Sequence, residues 1–261
     1  MQAETHPGDV TIDAFHRGDF WLVQPARGGH RAGMDAMMLA AAVPDGFSGR
    51  LADLGAGAGA AGLAVASRCR QAHVVLVERE AAMADCAAQA LALAQNSAIA
   101  ARAEIVRADV GLTGRKRAAA GLSDNSVDFV IMNPPFNSGR DRATPQPLKH
   151  SAHVMQEGLF ESWTRTAAAI VRAQGGLAVI ARPESLAEIL AAIQGRFGGA
   201  EIKAIHPRSD ASAIRVVVRA RRGSRKRPVM AAPLFLHERD SNRLSDEADA
   251  ISNGRASLFG D

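Results

Sequence analysis

The four residues Asn133-Pro134-Pro135-Phe136 combine an amide, two rings without N–H groups and an aromatic face. Each proline fixes its own φ and restricts the residue before it, so the turn is stiff. Proline cannot donate, so the turn offers mainly acceptors: the Asn133 side-chain oxygen and the Pro134 carbonyl. Such acceptors suit a planar amino group whose lone pair is delocalised into a ring or a carbonyl. Holding both its hydrogens in tetrahedral directions frees that lone pair to attack an electrophilic methyl carbon, a stabilisation offered chiefly in the transition state. Phe136 would stack on a planar target, and base–aromatic stacking contributes about 1–3 kcal/mol. An adenine treated in this way must first leave its own stack. No general base is required, because an anilinium-like product is a strong acid that loses its proton to water. Neither cysteine follows a proline at this turn, which argues against covalent attack on a pyrimidine ring.

A second constellation is the run Asp53-Leu54-Gly55-Ala56-Gly57-Ala58-Gly59-Ala60-Ala61-Gly62. It sits where a strand ends and a helix begins, and its glycines let the backbone turn tightly against a ligand. The spacing is ambiguous. Gly57, Gly59 and Gly62 match the dinucleotide fingerprint, whereas Asp53, Gly55, Gly57 and Gly59 match that of S-adenosyl-L-methionine. A pyrophosphate wants backbone donors and a helix N-terminus, and a carboxylate at Asp53 would repel it. The same carboxylate suits a sulfonium and an ammonium. Glu78 ends the next apolar run and is placed to accept from two ribose hydroxyls, charged hydrogen bonds of about 1.5–3 kcal/mol each. Asp109 ends the run after that and is placed to accept from an adenine amine. For each acid the structural alternative is a helix N-cap or a surface charge.

Elements must place these residues together. From about Gly49 onward, short apolar runs alternate with longer alanine-rich ones, the pattern of an α/β domain. Strands are expected over 51–54, 73–77, 103–108, 127–132, 176–181, 201–205 and 214–219, and helices over 61–70, 81–96, 156–173 and 185–197. The unbroken apolar run Phe129 to Met132 indicates a central strand covered on both faces. Residues 1–48 form an appendage with one helix over 34–43. Residues 49–239 form the main domain with its basic strip, and 240–261 form a polar tail with little to bury. The polar segment 137–153 reads as a long functional loop. Trp21 and Trp163 read as packing or interface residues.

The 261 residues are 47% hydrophobic and 22% charged, which excludes disorder as the main state. Cys69 and Cys86 lack metal-type spacing, so a disulfide scaffold and a cysteine zinc site drop out, no metal is expected, and a reducing cytoplasm is the default setting. No apolar run is long enough to span a bilayer, and no membrane is expected. The net charge is only +4, yet Arg219, Arg221, Arg222, Arg225, Lys226 and Arg227 crowd into nine positions. A basic strip beside a nearly neutral body suits a phosphate backbone; a solvated loop is the bland alternative.

At these residues the sequence resembles the amino-methylating class I methyltransferases. Gln24-Pro25, Gly29-His30-Arg31 and Asp35-Ala36 ahead of the glycine loop are similar to bacterial tRNA (adenine-N6)-methyltransferases that act beside the anticodon of a valine tRNA. So are His206-Pro207 and the basic stretch before Pro233-Leu234. The resemblance implies a Rossmann-like, seven-stranded, mostly parallel sheet with a reversed last strand and helices on both faces. It implies cofactor contacts from Asp53, Gly55, Ala56, Gly57, Glu78, Arg79, Asp109 and Asn133, with S-adenosyl-L-methionine as cofactor. The expected catalytic set is Asn133, Pro134, Pro135 and Phe136. RNA, above all tRNA, would meet Arg140, Arg142, Arg221, Arg222, Arg225, Lys226 and Arg227, with weaker parts for Arg31 and Asp35. Methylation of a protein glutamine amide or of a ribosomal guanine N2 uses the same turn. A nicotinamide-dependent oxidoreductase and a non-catalytic RNA-binding module are the readings from other classes.

Overall fold

The structure is a computed structural model that describes residues 10–26, 31–135 and 158–261. Phe136, Arg140, Arg142 and the rest of the 137–153 segment lie outside the described residues, as do His30, His150 and His153. Along the chain come β1 (Val10–Phe15), β2 (Phe20–Pro25), α1 (Met34–Ala41), β3 (Ser48–Leu54), α2 (Ala60–Arg68), β4 (Gln71–Glu78), α3 (Ala81–Ala92), α4 (Ser97–Ala100) and β5 (Ala103–Arg107). Then follow α5 (Gly114–Ala119), β6 (Val127–Met132), α6 (Leu159–Ile170), β7 (Val171–Ala181), α7 (Leu186–Ile193), β8 (Phe197–His206), β9 (Arg215–Arg222), β10 (Val229–Met230), β11 (Leu234–Phe235) and α8 (Asp246–Ser252).

The main sheet has nine strands in the order β10-β8-β9-β7-β6-β3-β4-β5, with β11 also paired to β8. Strands β3 to β7 are mutually parallel. β9 is inserted antiparallel between β7 and β8. Seven of the strands are the expected ones, and β10 and β11 are short additions of two residues each. The fold is the Rossmann-like class I arrangement.

Alternation along the strands sends side chains to two cores. Leu51, Leu76, Phe129, Ile131 and Val217 join the cluster beneath α1, α2 and β2. Ala52, Leu54, Val77, Val130, Met132 and Val179 join the cluster beneath α6 and α7. Both faces of the central strands are therefore dry, which accounts for their continuous apolar sequence.

Two expectations are corrected. The amino-terminal segment is more than a helix: β1 and β2 form an antiparallel hairpin, and Phe20 and Leu22 are fully buried. The tail is not free of buried surface either. Ala248, Ile251 and Leu258 enter the first core, and the Leu258 N–H donates to the Ala41 carbonyl at 2.6 Å. A mean polarity averaged over 240–261 hides three apolar residues spaced to meet α1.

Candidate active site

The parallel register aligns the carboxyl ends of four strands. Leu54 pairs with Val77 and with Met132, and Glu78 pairs with Arg107. The next residues, Gly55, Asn133 and the 108–109 turn, consequently share one edge of the sheet with Glu78. This is where open α/β sheets bind ligands.

The glycine loop is held from three sides. The N–H groups of Gly55 and Ala56 both donate to the Val77 carbonyl, at 2.9 and 3.0 Å. Gly55, Gly57 and Gly59 take φ of 73°, 58° and 91°, where L side chains are strained. At Gly57 a Cβ would meet only Met83 Cε, at 3.5 Å, so the backbone there stays open to close approach. Asp53 lies below the loop, 3% exposed, and its Oδ2 accepts from the Gly62 N–H at 2.9 Å in the first turn of α2. Burial pushes its carboxyl up to about 7, against the Gly62 hydrogen bond and with the Glu78 charge adding to the rise. A sealed, partly protonated carboxyl is a poor partner for a sulfonium. Asp53 instead braces the helix start by satisfying one of its free N–H groups.

Glu78 is positioned as expected at the tip of β4. Its Oε2 accepts from the Gly57 N–H and its Oε1 from the Glu80 N–H, both at 2.8 Å. Each oxygen keeps a further lone pair for a ligand hydroxyl. Asp109 Oδ1 accepts from the Gly111 N–H at 2.7 Å, and its Oδ2 meets Arg79 at 3.3 Å. Arg79 also reaches Glu80 at 3.2 Å, so it ties the second and third acidic tips together.

Asn133 follows β6 directly. Its Oδ1 is buried and has no hydrogen-bond partner among the described residues. A buried acceptor left alone costs about 1–3 kcal/mol, and such an atom at a ligand-binding edge calls for a donor from outside. Pro134 is buried and Pro135 exposed.

The basic strip is elsewhere. Because β9 is reversed, Val216 lies beside Ala181 near the site edge while Arg221 lies beside Gly176 toward the other end of the sheet. Arg219 is 7% exposed and closed by Glu201 at 2.8 Å and Asp261 at 2.7 Å, so it drops out of the free cations. Arg222 donates to Asn125 and to the Val171 carbonyl. Arg221 is half-buried, and Arg225, Lys226 and Arg227 are exposed. The structure does not bring this strip and Asn133 together. Arg31 is spent on Asp13 and Thr11, and Asp35 on Arg215 at 2.7 Å.

Trp163 belongs to the site although its sequence context suggests packing. A Cβ on Gly55 would run into its ring. The available signal is its position in the opening turns of the helix that follows the Asn-Pro-Pro-Phe loop.

Fold and site together define a class I S-adenosylmethionine-dependent methyltransferase. The methyltransferase small domain model matches residues 32–206, and the chain belongs to that family. It is 46% identical to protein Atu636 of Agrobacterium tumefaciens, described as a predicted O-methyltransferase, with a TM-score of 0.75 over 86% of this chain and 98% of that one. The 16S rRNA N2 G1207 methyltransferase of T. thermophilus, in complex with AdoMet and guanosine, shares the fold at 19% identity and a TM-score of 0.52, over 82% of this chain and 50% of that one. TYW2 of M. jannaschii, in complex with AdoMet, does so at 12% and 0.54, over 81% of this chain and 85% of that one. No curated protein matches the chain.

Proposed function

We propose that the chain methylates the exocyclic N6 amine of an adenine in RNA, with tRNA as the favoured substrate. The observation that carries this reading is the orphaned Oδ1 of Asn133 at the edge shared with the glycine loop and Glu78. S-adenosylmethionine, when bound, supplies an electrophilic methyl group on a positively charged sulfur. Gly55, Gly57 and Glu78 hold it through backbone approach and hydroxyl acceptance. Asn133 takes one hydrogen of the target amine on Oδ1 and the Pro134 carbonyl takes the other. The amine is thereby turned from planar toward tetrahedral, with its lone pair aimed along the line of displacement.

An oxygen acceptor is the second reading, favoured by the description of the 46% identical Agrobacterium protein. A hydroxyl has one hydrogen and no conjugated lone pair to release, so it would leave one of the two acceptors idle. Labelled methyl groups are transferred into RNA from cells lacking the activity, and the nucleosides are analysed. N6-methyladenosine is expected; label confined to ribose oxygen, to guanine N2 or to a purified release factor would overturn the assignment. Asn133→Ala is expected to lower the single-turnover rate by about 100-fold while cofactor affinity stays within about twofold. An unchanged rate would remove Asn133 from the chemistry.

A further inference from the structure

Trp163 lies against the first glycine of the cofactor loop. A Cβ built on Gly55 would sit 2.9 Å from its Cζ3 and 3.6 Å from its Cζ2, so the six-membered ring rests on the backbone at the end of β3. The helix carrying it is pinned to the same edge. Thr166 Oγ1 donates to the Val110 carbonyl at 2.7 Å, and Ser162 Oγ lies 3.7 Å from where a Cβ of Gly111 would be. The ring is therefore set by an anchored helix.

The acids of the site already have partners. Asp53 is sealed beneath the loop on the Gly62 amide, Glu78 holds two backbone amides, and Asp109 meets Gly111 and Arg79. Beside Gly55 the group that favours a positive charge is the indole, whose π face attracts cations. The cofactor carries a sulfonium; its by-product, S-adenosylhomocysteine, has given up the methyl group and that charge. An aliphatic wall of the same size would treat the two nearly alike.

We infer that Trp163 forms the wall of the cofactor site beside Gly55 and that its ring selects the charged cofactor over the uncharged-sulfur product. This concerns the cofactor alone and holds for any methyl acceptor. Affinities for S-adenosylmethionine and S-adenosylhomocysteine are measured by calorimetry on the full chain, on Trp163→Leu and on Trp163→Phe. Loss of the π face is expected to weaken S-adenosylmethionine about fivefold in Trp163→Leu and to change S-adenosylhomocysteine less than about twofold, with Trp163→Phe between parent and Leu. Equal weakening of both ligands, or no weakening of either, overturns the selection. The chain has two tryptophans. A Trp21→Phe background thus leaves Trp163 as the single emitter, and its fluorescence is expected to shift on saturation with S-adenosylhomocysteine. Unchanged emission overturns the placement, whether or not Trp163→Leu folds.

Discussion

Asp53 shows how a residue can be recognised correctly as part of a site and still work differently from what its sequence suggests. Its place at the end of a strand before a glycine loop is legible, but its burial is not, because that depends on α2 and β4 closing over it. The carboxyl titrates at 3.8 when unperturbed and at about 7 in the fold, with burial as the main cause. Between those values the native state keeps a proton that the unfolded chain has released, so its contribution to stability falls as pH rises from about 4 to about 7. Asp53→Asn keeps an oxygen for the Gly62 N–H and has no charge. The variant is expected to be more stable than the parent at pH 8, by a margin that shrinks toward pH 4.5; urea midpoints at about those two pH values measure it. A margin independent of pH would show that the carboxyl is not held protonated.

Asn133 makes the opposite point at the same scale. Stiffness and acceptor chemistry are local properties of an Asn-Pro-Pro sequence, so its role is readable directly. That of Trp163 is not, since a ring on a helix says nothing of its distance from a glycine in another element until the sheet register is known.

Among the elements, the parallel strands are legible because burial on both faces writes an apolar run, as in Phe129 to Met132. The hairpin is hidden: β1 has the burial pattern of an exposed ribbon, with Val10 and Ile12 open to solvent. The helix α8 is hidden because its first turn is acidic, although Ser245 caps it by accepting from the Ala248 N–H at 3.1 Å. Packing of α2 onto β4 is tight near the site. A Cβ on Gly62 would run into Leu76 and lie 2.9 Å from Val74 Cγ1. Ala normally favours a helix interior over Gly by about 0.5–1 kcal/mol. Overpacking costs about 1–3 kcal/mol and outweighs it here. Gly62→Ala is therefore expected to lower the urea midpoint, and a raised midpoint would mean that α2 moves off the sheet at little cost.

For the molecule as a whole, charge is legible as a count and illegible as a position. Six cations in nine residues look like one strip; Arg219 proves to be a buried strut between Glu201 and Asp261, with the Phe259 ring 4.3 Å from its guanidinium carbon. The described residues hold no helix long and apolar enough to cross a membrane and no cluster of metal ligands. Neutralising Arg221, Arg225, Lys226 and Arg227 together is expected to weaken RNA binding and flatten its dependence on salt. The logarithmic slope should fall by up to about 0.9 for each duplex phosphate that the variant no longer neutralises. Equal slopes for parent and variant would detach the strip from RNA.

The reversed β9 carries its first residues to the catalytic edge and its cations away from it, several residues along and two or more strands across from Asn133. Strand dimensions make that gap on the order of 20 Å. A free nucleoside or a short oligomer can touch one end only, whereas a folded polynucleotide bridges both. Such a protein would work as a caliper, sorting its acceptors by reach before any base is inspected.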